Sequence, residues 1–466
     1  MEQFDVVILG GGSGGERVAG AIAEAGRSVA VVEERLLGGE CPFWACMPSK
    51  AMLHAARLRR QVAEAHRYGA VAGPVDVGEG RAAFRAAAAW RDEVADHVDD
   101  SKHVERLTKA GGTLVRGRGV ITASGTVDVA GRELEYGDLV LSTGASFVRP
   151  PVEGLRHVEA WTSEDVYTAG ERPASVIILG GGPIGCEVAQ VLVRFGTGVT
   201  IVDVADRLIS QEEPAVTEKL AERLEGESVQ LRLGVKAESV RNGGDGVVLV
   251  LEGGDEVTAE RLIVATGKAP LTEGLGLEHL GITLGDKGEI EIDDTCRVRG
   301  LAHVWACGDV TDIAPFTHTA NYQGRIIAAN ILGGKWRTDY RAIPRSVFTD
   351  PAVASTGMSQ AQAAEAGIAY VVAQGSARGT ARALATGEGF GTLVVIADRR
   401  SRLIVGASGI GPAVEEFISE CSMAIRAAIP LDVLADVVHP FPTHSERYDT
   451  LFAELLRQCE GEGTHR

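Results

Sequence analysis

The chain has 466 residues, 45% of them hydrophobic, and a formal charge of −18 at pH 7. That length exceeds what one core sustains and implies about three or four units. The negative charge disfavours general binding to nucleic-acid or anionic-membrane phosphates, and no run of about 18 uncharged apolar residues offers a membrane span. Seven scattered cysteines make no secreted disulfide framework, so a cytoplasmic protein is expected, in which a close cysteine pair is catalytic or metal-binding.

The first strand-like run, Phe4–Leu9, starts almost at Met1, so no signal peptide is expected. It runs into Gly10, Gly12 and Gly15, a helical pattern, a second apolar strand and Glu33. The same grammar returns 170 residues later as Gly180, Gly182, Gly185 and Asp203, an internal duplication of a βαβ unit. In each copy the first glycine permits a tight turn, the second lets backbone approach a pyrophosphate, and the third packs helix on strand. The carboxylate 18 residues after the third glycine stands where ribose hydroxyls would be. Two dinucleotide sites are expected. Asp203 would repel a 2′-phosphate and favours NADH over NADPH; Arg207, four residues on, is the contrary feature.

Cys41-Pro-Phe-Trp-Ala-Cys46-Met-Pro-Ser-Lys50 follows Glu33 and leads into a helix. Residues five apart on an ideal helix have Cα atoms roughly 8–9 Å apart, beyond the about 7 Å reach of a disulfide, so a distorted first turn is expected. Pro42 and Pro48 supply the means, and a thiolate near the helix start should have a lowered pKa. Lys50 falls on the same face as Cys46. His54 is the one other nearby metal ligand, too few for a closed zinc site, so no metal is expected.

Helical stretches are expected over about Ser49–Ala65 and Arg81–Ala110, then a β-rich stretch to Ser142-Thr143-Gly144. Arg57, Arg59 and Arg60 read as solvated surface, as do Arg399, Arg400 and Arg402 in a turn. Pro150–Pro151 marks a boundary, the second unit runs to Thr266-Gly267, and Trp305-Ala-Cys-Gly-Asp309 returns to strand character. From about Ile343 the pattern is strands followed by helices.

These ordered stretches, with Ala265–Lys268, Phe348–Pro351, Pro442-Thr443 and Ser445-Glu446, resemble the pyridine nucleotide-disulfide oxidoreductases over essentially the whole chain. The resemblance implies an α/β fold of two Rossmann-like domains and a C-terminal α+β interface domain. The implied partition is 1–150 and 273–342 for FAD, 151–272 for NAD(P), and 343–466 for dimerisation. It implies FAD in the first unit, held by Gly10, Gly12, Gly15, Glu33, Lys50, Gly119, Thr143, Gly144 and Asp309. It implies NADH (NADPH less so) in the second, at Gly180, Gly182, Gly185, Asp203 and Gly267. Cys46 would be the flavin-proximal thiol, Cys41 the interchange thiol, and Lys50 the partner of Glu187. A homodimer whose active site takes residues from both copies is implied, with dihydrolipoamide dehydrogenase the nearest activity in the family.

One departure bears on catalysis. The family places a catalytic His, oriented by the residue corresponding to Glu446, where this chain has Phe441, and phenylalanine cannot carry a proton. His439, two residues earlier, would point to the same side in an extended chain; His444 is a second substitute. Disulfide/dithiol chemistry is the leading expectation. Direct reduction of a quinone-like acceptor from flavin, and a non-turnover redox sensor, are the alternatives.

Overall fold

The computed structural model describes residues 2–244 and 246–460. By contacts the chain splits into two units: Met1–Ala51, Ala89–Val148 and Gly267–Asp339 form one, and Met52–Ala88, Arg149–Thr266 and Tyr340–Arg466 the other.

The first unit is built on a sheet whose strands run Thr113–Arg116, Val29–Glu33, Glu2–Leu9 and Arg132–Leu141 in spatial order, all parallel. Val304–Ala306 pairs in parallel with the end of Arg132–Leu141, and an antiparallel pair, Thr126–Val129 and Val120–Ala123, extends the edge. Parallel strands are covered on both faces, which is why they read as unbroken apolar runs. Val6, Val7, Ile8 and Leu9 are at most 2% exposed. Each such side chain contributes about 1.5–3 kcal/mol by leaving water. The order turns back at Glu2–Leu9, which places the strand's carboxyl end, and Gly10 after it, at the switch point where α/β sheets take ligands.

The helical stretch expected over Arg81–Ala110 is two helices, Arg81–Val94 and Ser101–Lys109. Asp96, His97 and Val98 have positive φ between them. Asp100 explains the break: its carboxylate accepts the Leu37 N–H at 2.7 Å and binds Arg116, a tie that a continuous helix would not allow.

The second unit repeats the parallel order with Gln230–Leu233, Gly198–Asp203, Ser175–Leu179, Arg261–Val264 and Ala160–Trp161. It also holds a three-stranded antiparallel sheet (Ala237–Gly243, Gly246–Leu251, Glu256–Ala259) and a five-stranded antiparallel sheet spanning Arg345–Gly411. The helices Val414–Ala427 and Arg447–Glu460 pack on that last sheet, with Cys421, Tyr448 and Phe452 fully buried in the shared core. Arg59 and Arg60 are not the solvated surface expected of them. Arg59 donates to the carbonyls of Arg194 and Val77, and Arg60 pairs with Glu64 and with Asp350, both at 2.9 Å.

Candidate functional site

At the first fingerprint, sterics assign each glycine its part. Gly10 has φ +97°, and a Cβ there would lie 2.2 Å from the Ser142 carbonyl oxygen; one on Gly15 would lie 2.1 Å from the Gly10 oxygen. A Cβ on Gly12 would meet nothing nearer than Gly39 Cα at 3.9 Å. The helix Ser13–Glu24 starts there with no side-chain cap, so its first N–H groups face open space. Glu33 accepts the Gly11 and Arg35 N–H groups, both at 2.7 Å, one on each oxygen, and each oxygen keeps a lone pair. Thr319 adds a buried hydroxyl with no hydrogen-bond partner among the described residues. An uncapped helix start, an open glycine and a carboxylate with spare acceptors suit a dinucleotide such as FAD. Thr143 Oγ1 donates to the Leu271 carbonyl at 2.7 Å, and Gly144 accepts the Leu271 N–H, fixing that loop against the same unit. A Cβ on Gly119 would lie 2.6 Å from Leu9 Cδ2, which is a packing demand. Burial raises the Asp309 carboxyl above its usual range, against the attraction of Lys268 and with the repulsion of Glu40.

The two cysteines do not share a helix. Cys41 lies in a four-residue helix, Glu40–Phe43, and Cys46 opens the next, Cys46–Glu64. Between them the Ala45 N–H reaches back five residues to the Glu40 carbonyl at 2.9 Å, beside the ordinary bond from Trp44 N–H at 2.8 Å. This widened turn is the distortion that the five-residue spacing demanded. Both cysteines are free thiols in the structure and half-buried. Cys41 is hydrogen-bonded to Cys46, and that bond, then burial, then the negative charge of a Cys46 thiolate, push the Cys41 thiol well up. The general expectation of a lowered pKa therefore fails for Cys41. The two thiols titrate as an interacting pair, and the rise at Cys41 reflects the hydrogen bond that they share. Cys46 Sγ also lies 3.3 Å from Thr317 Oγ1. Thr317 begins the helix Thr317–Ile331, and no spacing or motif in the sequence singled it out. Lys50 lies on the cysteine helix in the first unit, near enough to oppose the rise of the Cys41 pKa.

In the second unit, Gly180 and Gly185 repeat the close approaches, at 2.4 Å to the Ala265 oxygen and 2.0 Å to the Gly180 oxygen, while Gly182 again faces open space. Asp203 accepts the Gly181 N–H at 2.5 Å and the Ala205 N–H at 2.8 Å, as Glu33 does in its unit. Arg207, the residue that could have answered a 2′-phosphate, is turned onto its own loop. It donates to the carbonyls of Ser210 (3.1 Å) and Glu212 (3.4 Å) and to Thr217 Oγ1 (3.4 Å). Glu187, buried in the helix Pro183–Arg194, accepts the Phe348 N–H at 2.8 Å. Gly267, with φ +112°, belongs to the first unit, where it accepts the Val148 N–H at 3.0 Å.

Around Phe441 the extended-chain expectation is not met. Phe441 is 80% exposed, whereas the His439 side chain is 4% exposed and turned the other way. His439 donates from Nε2 to Glu420 at 3.0 Å and from Nδ1 to Asp449. Burial alone would lower its pKa, but the two carboxylates outweigh burial and raise it. With both nitrogens donating, His439 has no lone pair for a substrate proton. Burial lowers the His444 pKa. Glu446 no longer orients a histidine at position 441: one oxygen accepts the Ala381 N–H at 2.5 Å, and the other is buried without a hydrogen bond among the described residues.

The His439 clamp carries a stability prediction. A pKa raised on folding means stability that is complete below the unfolded value of about 6.5 and is lost as pH rises through the folded one. His439→Gln should therefore cost on the order of 1–2 kcal/mol at about pH 5.5 and progressively less at alkaline pH. Thermal unfolding of both proteins across that range reads the gap; a gap independent of pH would show that the imidazolium is not the clamp.

A duplicated dinucleotide fold, with a thiol pair beside the first fingerprint, defines a nucleotide-dependent redox flavoprotein. The chain belongs to the pyridine nucleotide-disulphide oxidoreductase family: the family model matches residues 4–324, and its dimerisation-domain model matches residues 343–452. It is 32% identical to a mercuric reductase of Streptomyces lividans over 452 residues, covering 95% of this chain and 94% of that protein. It is 31% identical to a dihydrolipoyl dehydrogenase of Haloferax volcanii over 456 residues, with the same coverage of 95% and 94%. The solved Cu(II) complex of the HOCl-induced flavoprotein disulfide reductase RclA from Escherichia coli superposes with a TM-score of 0.86 at 27% identity, covering 98% of this chain and 100% of that one. The family is FAD-dependent and uses NAD(P)H, and its disulfide oxidoreductase character extends to this chain. No helix among the described residues is long and apolar enough to cross a membrane.

Proposed function

We propose that this protein passes two electrons between NADH and a small disulfide substrate through FAD and the Cys41/Cys46 pair. The observation that carries this reading is the widened turn, which brings two half-buried thiols into one hydrogen-bonded pair within the unit of the first fingerprint. Gly10, Gly12, Gly15, Glu33, Lys50, Gly119, Thr143, Gly144 and Asp309 are the residues proposed to hold FAD. Bound FAD supplies a two-electron relay between nicotinamide and dithiol. Gly180, Gly182, Gly185 and Asp203 are the residues proposed to take the nicotinamide nucleotide. The balanced reaction is NADH plus a proton plus RSSR giving NAD⁺ and two thiols. Cys41 attacks and releases the substrate, holding the mixed disulfide in turn, and Cys46 closes the internal disulfide. The match of residues 343–452 to a dimerisation domain supports a homodimer.

Asp203 with Arg207 turned away supports NADH as the donor. A 2′-phosphate brought beside that carboxylate costs about 3 kcal/mol, so kcat/KM should favour NADH by about a hundredfold. Asp203→Ala should reduce the preference to within about tenfold. An unaltered ratio in the variant would place selectivity elsewhere.

A second reading is favoured by one observation. With Phe441 exposed and both His439 nitrogens held by carboxylates, no base stands at the family's position, and direct reduction of a quinone-like acceptor from flavin needs none. Anaerobic titration with NADH separates the two. Reduction of the Cys41–Cys46 disulfide to the dithiol before bleaching of the flavin, with a long-wavelength thiolate-to-flavin band, supports the disulfide reading. A flavin that bleaches at once and reoxidises with quinone supports the second.

A further inference from the structure

We infer that Glu40, through its ion pair with Lys268, is a positioning residue for the Cys41 thiol: it ties the helix that carries Cys41 to a neighbouring strand and thereby sets the dithiol–disulfide equilibrium. The inference rests on the redox role proposed for Cys41 and Cys46.

A helix of four residues has no stability of its own, because nucleation costs more than one or two hydrogen bonds return. Glu40–Phe43 also lacks a side-chain cap, since Gly39 precedes it. Its position must come from tertiary ties. At its C-terminal end Phe43 is 1% exposed and meets His103 edge-on at 5.6 Å, and the Arg35 guanidinium lies 3.9 Å from the Trp44 ring centroid. At its N-terminal end the Glu40 carboxylate binds Lys268 Nζ, with side chains only 32% and 20% exposed. Lys268 is itself fixed, because its strand Lys268–Pro270 pairs with Ala145–Phe147 and its ammonium lies 4.8 Å from the Phe147 ring centroid. Cys41 stands between these two anchors, one residue from the ion pair.

A disulfide needs its Cα atoms within about 7 Å, so the equilibrium depends on how firmly the short helix is held against Cys46. Releasing the N-terminal tie lowers the effective concentration of Cys41 at Cys46 and favours the open dithiol. Charge acts separately. Removing the Glu40 anion favours a thiolate, whereas removing the Lys268 cation disfavours one. The tether therefore shifts both single variants the same way, and charge alone shifts them in opposite ways.

The test equilibrates the FAD-loaded holoprotein with reduced and oxidised glutathione, two glutathiones reducing the internal disulfide to the dithiol and leaving as one glutathione disulfide. Glu40→Gln and Lys268→Met should each shift the equilibrium toward the dithiol by about five- to tenfold, which is about 20–30 mV for a two-electron couple. Each should also speed alkylation of Cys41 by iodoacetamide, located by mass spectrometry. Lys268→Arg and the swap Glu40→Lys/Lys268→Glu should restore wild-type values. Opposite shifts in the two single variants, or no shift in either, overturn the inference. The alkylation arm uses no NADH. A wild-type internal disulfide that NADH fails to reduce would remove the proposed function and leave alkylation to decide the tether.

Discussion

Cys41→Ser will lose NADH-driven disulfide reduction by at least about a thousandfold, while its flavin still bleaches with NADH. A serine hydroxyl cannot form the mixed disulfide, and Cys46 alone has no partner with which to close an internal disulfide. The loss separates the two functional readings, because reduction of a quinone directly from flavin would survive it. A variant that keeps its disulfide turnover would remove Cys41 from the reaction. The wild type adds a pH signature. With the Cys41 thiol pushed well up by Cys46 and by burial, and with no base at position 441, thiolate attack by Cys41 should accelerate as pH rises across the neutral and alkaline range. A stopped-flow rate of dithiol oxidation that is flat with pH would require a proton acceptor near Cys41.

How much of this was legible in the sequence depends on whether a feature is local. The 170-residue displacement between Gly10 and Gly180 exposed the duplicated dinucleotide fold, because close backbone approaches tolerate only glycine and leave a pattern that survives without alignment. The five-residue spacing of Cys41 and Cys46 demanded a distorted turn, and the widened turn at Ala45 supplies it. What escaped was long-range. Thr317 reaches Cys46 across 271 positions and Lys268 reaches Glu40 across 228, and neither residue type signals such a meeting. His439 misled for the opposite reason. Strand periodicity put it on the side of Phe441, but Glu420 and Asp449 draw its ring inward, and two carboxylates outweigh a local alternation. The break at Asp96–Val98 escaped likewise, since it depends on what Asp100 binds in the folded unit.

The largest structural effect is expected at the third glycine of the first fingerprint, and its comparison with the second tests where the cofactor lies. A Cβ at Gly15 would stand 2.1 Å from the Gly10 oxygen and 3.2 Å from Ile8 Cγ2, both in fixed backbone or packed core. Gly15→Ala must push the helix Ser13–Glu24 off its strand, at about 1–3 kcal/mol or more, and the purified protein should be less stable and poor in flavin. Gly12→Ala has no such conflict, since its nearest neighbour is Gly39 Cα at 3.9 Å. Its methyl would instead occupy the space in front of the uncapped helix start, where a pyrophosphate must approach closely. The expected result is a split: Gly12→Ala melts within about 1 kcal/mol of wild type as apoprotein, yet binds FAD at least about tenfold more weakly. Thermal unfolding of the apoproteins and flavin titration read the two quantities separately. If Gly12→Ala held FAD as tightly as wild type, the open space at Gly12 would not be where the cofactor's phosphates lie. The same pair of substitutions at Gly182 and Gly185 should divide in the same way, with the KM for NADH replacing flavin affinity, because the second copy repeats both the clash and the open position.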